Sequence, residues 1–193
     1  MATTITTNEI RLSYVTLAQP KAAMPGQDPK YSVVMLIPKT DTATKAAIDA
    51  AINEAIQLAV ASKWNGAAPQ QVPNPIHDGD GLKTTGEPYG DECKGCWVIN
   101  ASCKADRKPR VVDLNLQDII DPSQIYSGMY GRVNVNFYAY NFNGRKGIGC
   151  GLNHIQKTRD GEALGGAPMS VEAAFGAPAQ AAPQINPVTG QPM

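Results

Sequence analysis

The stretch from Tyr130 to Lys157 constrains the fold more than any other. From Val133 to Tyr140 apolar and polar residues alternate without a break: Val133, Val135, Phe137 and Ala139 fall at one parity, and Tyr130, Arg132, Asn134, Asn136, Tyr138 and Tyr140 at the other. Successive side chains of a strand point to opposite faces, so this pattern predicts a strand over Tyr130 to Phe142 with one face in a core and one outside. Asn143-Gly144 follows, a pair suited to a two-residue hairpin because both positions accept positive φ. Gly144 to Lys157 is predicted to return as its antiparallel partner. A chain organised around so long a hairpin belongs to the mainly β class.

The rest of the chain supplies further strands and one helix. Ile5 to Gln19 reads as a long, bent first strand in which Ile10, Leu12, Tyr14 and Thr16 alternate with Arg11, Ser13, Val15 and Leu17. Pro20 to Pro29, with Pro25-Gly26, interrupts it. Lys30 to Pro38 is apolar at both parities, which predicts a central strand. Asp41 is a suitable N-cap, and Ile48, Ile52, Ile56 and Val60 recur beside Ala47, Ala51, Ala55 and Ala59, so a helix follows with its apolar stripe on the sheet. Residues 64–92, rich in Gly, Pro, Asn and Gln, are expected to form a long excursion. Cys96 to Lys104 resumes the sheet, Val111-Val112 adds a short run, and Asp118 to Gly128 connects through a helical turn.

Composition changes at about Asp160, beyond which the chain is mostly Ala, Gly, Pro and Gln. Such a segment buries too little apolar surface to offset the entropy of ordering. One folded domain over residues 1–159 and a disordered tail over 160–193 are expected. No apolar run approaches the roughly 18 residues of a membrane span, and the N-terminus lacks the basic start and apolar stretch of a secretion signal. A soluble, non-secreted protein with no membrane partner is expected.

The formal net charge is zero, but its parts are not. All 17 basic residues lie at or before Arg159 with 14 of the 17 acids, a net of +3, while Asp160, Glu162 and Glu172 give the remainder −3. Residues 130–159 hold Arg132, Arg145, Lys146, Lys157 and Arg159 with no acid, and residues 94–110 hold Lys94, Lys104, Arg107, Lys108 and Arg110 against Asp106. Segments of this kind suit a phosphate backbone. The outward parity of the long strand adds Tyr130, Tyr138 and Tyr140 to Arg132. Aromatic rings there could stack on unpaired bases, an interaction of about 1–3 kcal/mol per base. For each tyrosine the competing reading is a good strand former with a wet hydroxyl. Arg145 and Lys146 at the hairpin tip, and Lys104, Arg107, Lys108 and Arg110 around the turn after the Trp97 strand, are the candidate phosphate ligands. A solvated turn that discourages aggregation is the alternative for the tip. Trp97 reads as a core residue before a stacking one.

Cys93-Lys94-Gly95-Cys96 has no second pair of the same spacing, so reduced thiols are expected ahead of a zinc site with His77 or His154. The motif does not open a helix after a strand, as a redox pair would. His77-Asp78-Gly79-Asp80-Gly81 reads as a turn before a carboxylate metal site. No P-loop, dinucleotide fingerprint or nucleophile and base pair is present. The expectation is a binding protein with no cofactor and no enzymatic activity. A virion or assembly protein on a β-barrel and a metal-dependent nuclease are the alternatives.

Five segments, in their order and spacing, carry a resemblance: Tyr31 to Lys39, Asp78-Gly79-Asp80, Trp97 to Ser102, Pro109 to Asp113, and Ile125 to Tyr130 running into Gly144 to Ile148. The chain resembles the single-stranded DNA-binding proteins of tailed bacteriophages over about residues 5 to 160. The resemblance implies an OB-fold, a five-stranded Greek-key barrel, here with an α-helix inserted after the second strand. It also implies a groove that takes single-stranded DNA with little sequence preference, in phage DNA replication and recombination. The implied setting is the cytoplasm of the infected bacterial host, with phage or host replication proteins and further copies of the chain as protein partners. The C-terminal Pro187-Val188-Thr189-Gly190-Gln191-Pro192-Met193 departs from the acidic, aromatic-ended tail of several proteins of this function.

Overall fold

The computed structural model describes residues 3–165. Its elements are β1 (Thr4–Thr6), β2 (Ile10–Lys21), β3 (Lys30–Pro38), α1 (Thr42–Ala61), β4 (Ile76–Asp78), β5 (Cys96–Lys104), β6 (Arg110–Val112), β7 (Tyr130–Phe142) and β8 (Arg145–Arg159). Short 3-10 turns at Asp91–Cys93 and Pro122–Gln124 complete the order.

β7 and β8 pair antiparallel from Tyr130↔Arg159 to Phe142↔Arg145, and Asn143 and Gly144 turn the chain at φ 50° and 77°. The hairpin is therefore the one its sequence specifies. A ring closes on it: β7 pairs with β2, β2 with β3, β3 with β5, and β5 meets β8. Only the β5/β8 seam of this ring is parallel. This is the Greek-key connectivity of an OB barrel, with α1 following its second strand as expected. The ring is unevenly sealed. β3 and β5 pair over their whole length, from Lys30↔Lys104 to Pro38↔Cys96, whereas β5 and β8 join only at Ser102↔Gly151, and β2 and β7 only at Ile10↔Gly131 and Arg11↔Tyr130. β1 and β6 lie at the margins of β7 and β8, and β4 pairs with β5.

The inward parity of every ring strand fills the core: Ile10, Leu12, Val33, Met35, Ile99, Val133, Val135, Phe137, Leu152 and Ile155 are all buried. α1 packs on it through Ile48, Ala51, Ile52, Ala55 and Ala59, with Ile56 and Val60 half-buried. At its start the Asp41 carboxylate accepts from the Thr44 amide at 3.1 Å and from Asn8 Nδ2 at 3.0 Å, which ties the helix to the turn before β2. Burial opposes ionisation of Asp41, but the hydrogen bonds from Thr44 and Asn8 prevail and hold its carboxyl below the usual range. Just past the helix, Trp64 is 1% exposed and its indole N–H donates to the Tyr140 carbonyl at 3.2 Å.

The expected first strand is two strands. Thr7 interrupts it by exchanging backbone and hydroxyl hydrogen bonds with Val133, so β1 and β2 are separate. Within β2 the alternation also fails, because a register shift against β3 between Ser13 and Thr16 turns Ser13 inward and Tyr14 outward. Tyr14 takes φ 45° and is 67% exposed, while the Val15 amide donates to Ser127 Oγ at 3.0 Å and fixes the bulge. The excursion over 64–92 contains β4, and Asp78-Gly79-Asp80 is a turn whose two carboxylates grip Lys39 Nζ, at 2.5 and 2.7 Å. Lys39 and Lys45 in turn stand over the half-buried Trp97 ring, at 5.0 and 5.1 Å.

Residues 160–165, read from the sequence as the start of the tail, lie against the body. Arg11 donates to the Glu162 carbonyl at 2.7 Å, the Leu164 amide donates to Ser127 O at 2.8 Å, and Leu164 packs beside Leu36, Cys93 and Val98. The remainder of the expected tail, 166–193, lies outside the described residues. No helix among the described residues is long and apolar enough to cross a membrane.

Removing the helix cap by Asp41→Ala is expected to cost about 1 kcal/mol in urea unfolding at neutral pH. Because the folded-state pKa of Asp41 is depressed, its contribution is present above the unfolded-state value and is lost as pH falls through the folded one, so the two proteins should converge in acid. At the bulge, left-handed backbone costs a non-glycine residue about 1–2 kcal/mol, whereas glycine in a strand loses about 0.5–1 kcal/mol to entropy. Tyr14→Gly should therefore leave the urea midpoint unchanged or raised, and a clear fall would show that the ring supports the fold.

Candidate functional site

The outward parity of the barrel presents one transverse row across all five ring strands. Asn136 of β7 pairs with Gly151 of β8, Gly151 with Ser102 of β5, Ser102 with Ser32 of β3, and Ser32 with Thr16 of β2. Small and polar residues throughout make this row the floor of a groove. Three cavities follow it. One of about 310 Å³ lies between Tyr138, Asn136 and Gly151 on one side and Ser102, Lys104 and Arg107 on the other. The next, of about 380 Å³, shares Ser102 and continues over Ser32 and Thr16 to Tyr14, Lys21 and Lys30. A wider opening of about 940 Å³ joins both, from Gly26 to Lys30 across Lys104 to Asp106, with Phe142 above it.

The aromatic wall rests on main chain. β8 places glycine at alternate positions, Gly147, Gly149 and Gly151, facing Tyr140, Tyr138 and Asn136 in register. A Cβ on Gly149 would sit 2.7 Å from the Tyr138 ring, and one on Gly151 2.6 Å from Asn136 Oδ1. Gly147 leaves the same room for Tyr140. The rings can lie on β8 only because side chains are missing there. Tyr138 remains 44% exposed, and its partial burial, with Cys150 and Tyr140 nearby, lifts its phenol above the ordinary value. It is therefore neutral at neutral pH and does not repel an anion.

Of the residues singled out from the sequence, the groove brings together Tyr138, Lys104 and Arg107. Tyr140 lies beside Tyr138 on the same face, and Arg145 stands exposed at the tip opposite Phe142. The other five go elsewhere. Tyr130, at the far end of β7, is stacked by the Arg159 guanidinium at 3.5 Å, which Glu9 holds by an ion pair at 2.9 Å. Arg132 donates from Nε to the Thr7 carbonyl at 3.3 Å. Lys146 has the inward parity of β8 and donates to the Trp64 carbonyl at 3.3 Å, next to Lys63, which donates to Ala139 O at 3.2 Å. Arg110 is paired with Asp118 at 2.9 Å, and together with Lys108 it borders a separate, mostly apolar cavity of about 410 Å³ with Leu17 and Ile120.

Four aromatic or basic side chains of the groove were not singled out from the sequence: Tyr14, Lys21, Lys30 and Phe142. Phe142 continues the parity of Tyr138 and Tyr140, and the alternating glycines of β8 were likewise open to inspection. Lys21 and Lys30 flank the Pro- and Gly-rich loop, where sequence gives no register. Tyr14 was hidden by the bulge. Cys103 lines the groove as a thiol that donates to Arg107 O at 3.2 Å, and all four cysteines are free. Burial pushes the Cys93 thiol up to about 11 and Cys150 to about 12. Among the described residues no three His, Cys, Asp or Glu side chains gather as a metal-binding group.

Known proteins resemble this chain in sequence and in overall fold. Protein p50 of Acyrthosiphon pisum secondary endosymbiont phage 1 is 32% identical over 176 residues, 86% of this chain and 89% of that one. The single-stranded DNA-binding protein from bacteriophage Enc34 in complex with ssDNA superposes with a TM-score of 0.65 at 28% identity, covering 84% of this chain and 89% of that one. Bacteriophage T7 gp2.5, a single-stranded DNA-binding protein, shares the fold at a TM-score of 0.58 and 17% identity, over 86% and 91% of the two chains. The family model described as Enterobacter phage Enc34, ssDNA-binding protein, matches residues 3–184, nearly the whole length, and this chain belongs to that family.

Proposed function

We propose that the protein binds single-stranded DNA along the groove, with little sequence preference and without catalysis, during replication or recombination of phage DNA in the host cytoplasm. The observation that carries this reading is the floor from Asn136 to Thr16, bordered by Tyr138, Tyr14 and Phe142 and by Lys21, Lys30, Lys104 and Arg107. A neutral row lets a flexible chain lie close, rings offer faces to any base, and cations meet its phosphates. Membership of a family named for an ssDNA-binding protein supports the same ligand. Asp28 and Asp106 also line the groove and moderate its attraction, while the phosphate contacts made by its cations should weaken binding as salt rises.

A gel-shift series with single- and double-stranded oligonucleotides, with and without magnesium or zinc, tests the reading. Retention of the single strand alone, intact in every lane, is expected; cleavage in metal would make the protein a nuclease, and self-association without retention an assembly protein. Tyr138→Ala should weaken single-strand binding by roughly 5- to 150-fold, corresponding to about 1–3 kcal/mol of stacking, with little change in melting temperature. At the tip, Arg145→Gln should make the slope of log K against log salt shallower by about 0.7. Lys146→Gln, turned toward Trp64, should instead act on stability and leave that slope alone.

A further inference from the structure

β3 lies between β2 and β5, and its register sets Lys21 opposite Lys30 and Lys30 opposite Lys104. All three lysines are exposed. Directly opposed residues on adjacent strands hold their Cβ atoms about 4.5–5.5 Å apart, and like charges so placed destabilise a sheet. Ion pairs among the described residues engage Lys39, Lys45, Lys94, Arg110, Lys157 and Arg159, and none engages these three. Asp28 and Asp106 line the same openings without pairing to them. Lysines are common on edge strands, where they deter pairing with other sheets. That explanation fails for Lys30, which has a bonded strand on each side.

We infer that Lys21, Lys30 and Lys104 form a phosphate track across β2, β3 and β5, repulsive in the free protein and relieved when a polyanion lies over it. The inference takes its natural ligand from the single-strand reading and adds the course of the backbone. Lys104 borders the cavity of Tyr138, and Lys21 and Lys30 border that of Tyr14, so the track leads phosphates from one aromatic to the other. The central charge then affects fold and binding with opposite signs. A lysine serving only solubility would change neither, and one supporting the sheet would weaken both.

Lys30→Thr keeps a good strand former and removes the central charge, and Lys104→Thr provides a second variant should the first fold poorly. In low salt the free variant should melt above the wild type, with the gap closing as salt is added. Its oligo(dT) binding should show a slope of log K against log salt shallower by about 0.7. Inorganic polyphosphate, which has no bases, should raise the melting temperature of the wild type more than that of the variant. A melting temperature at or below wild type in low salt, or an unchanged slope and polyphosphate response, overturns the track while leaving single-strand binding standing. A wild type that answers to polyphosphate through Lys30 but retains no oligonucleotide keeps the track and overturns the single-strand reading.

Discussion

The antiparallel ladder between β7 and β8 is the interaction on which the rest depends. It runs the length of both strands, and each of the other ring seams at its edges is short: two pairs to β2 and one to β5. The hairpin therefore acts as a spine to which the β2–β3–β5 sheet is joined along two narrow seams. Its inward parity supplies Val133, Val135, Phe137, Leu152 and Ile155 to the core, and its outward parity supplies the aromatic wall. One periodicity thus serves both stability and ligand contact, and its far end is closed by the stack of Arg159 on Tyr130 and the docking of Glu162 and Leu164.

What could be read from the sequence follows from how local each signal is. β3, β5, β7 and the start of α1 were legible because alternation, an N-cap or an apolar run lies within a few residues. The split between β1 and β2 was not, since Thr7 finds its partners on Val133, 126 residues away. Tyr14 escaped for a related reason: the bulge that turns it outward is held by Ser127, and nothing within β2 announces it. Residues 160–165 carry a tail-like composition, yet their hydrogen bonds reach back to Arg11, Tyr126 and Ser127.

The candidate site was half legible for the same reason. Parity identified Tyr138 and Tyr140, and charge identified Lys104, Arg107 and Arg145, but neither tells which end of a long strand meets the groove. Tyr130 and Arg132 share the parity of Tyr138 and lie instead where Arg159, Glu9 and Thr7 occupy them. Lys146 is adjacent to Arg145 and therefore on the opposite face, a consequence of strand geometry that clustering of charge conceals. Lys21 and Lys30 join Lys104 only through inter-strand register.

The glycines of β8 have a consequence for how tightly a flexible ligand can be held. A ring seated on another side chain shifts when that side chain changes rotamer, but Tyr138 and Tyr140 are seated on hydrogen-bonded backbone, which has no rotamers to change. Much of the conformational freedom that a stacking aromatic forfeits on binding is then already given up in the free protein, so less of each contact is spent on ordering. A polymer that must itself lose entropy to lie in a groove gains most from a surface that has little left to lose.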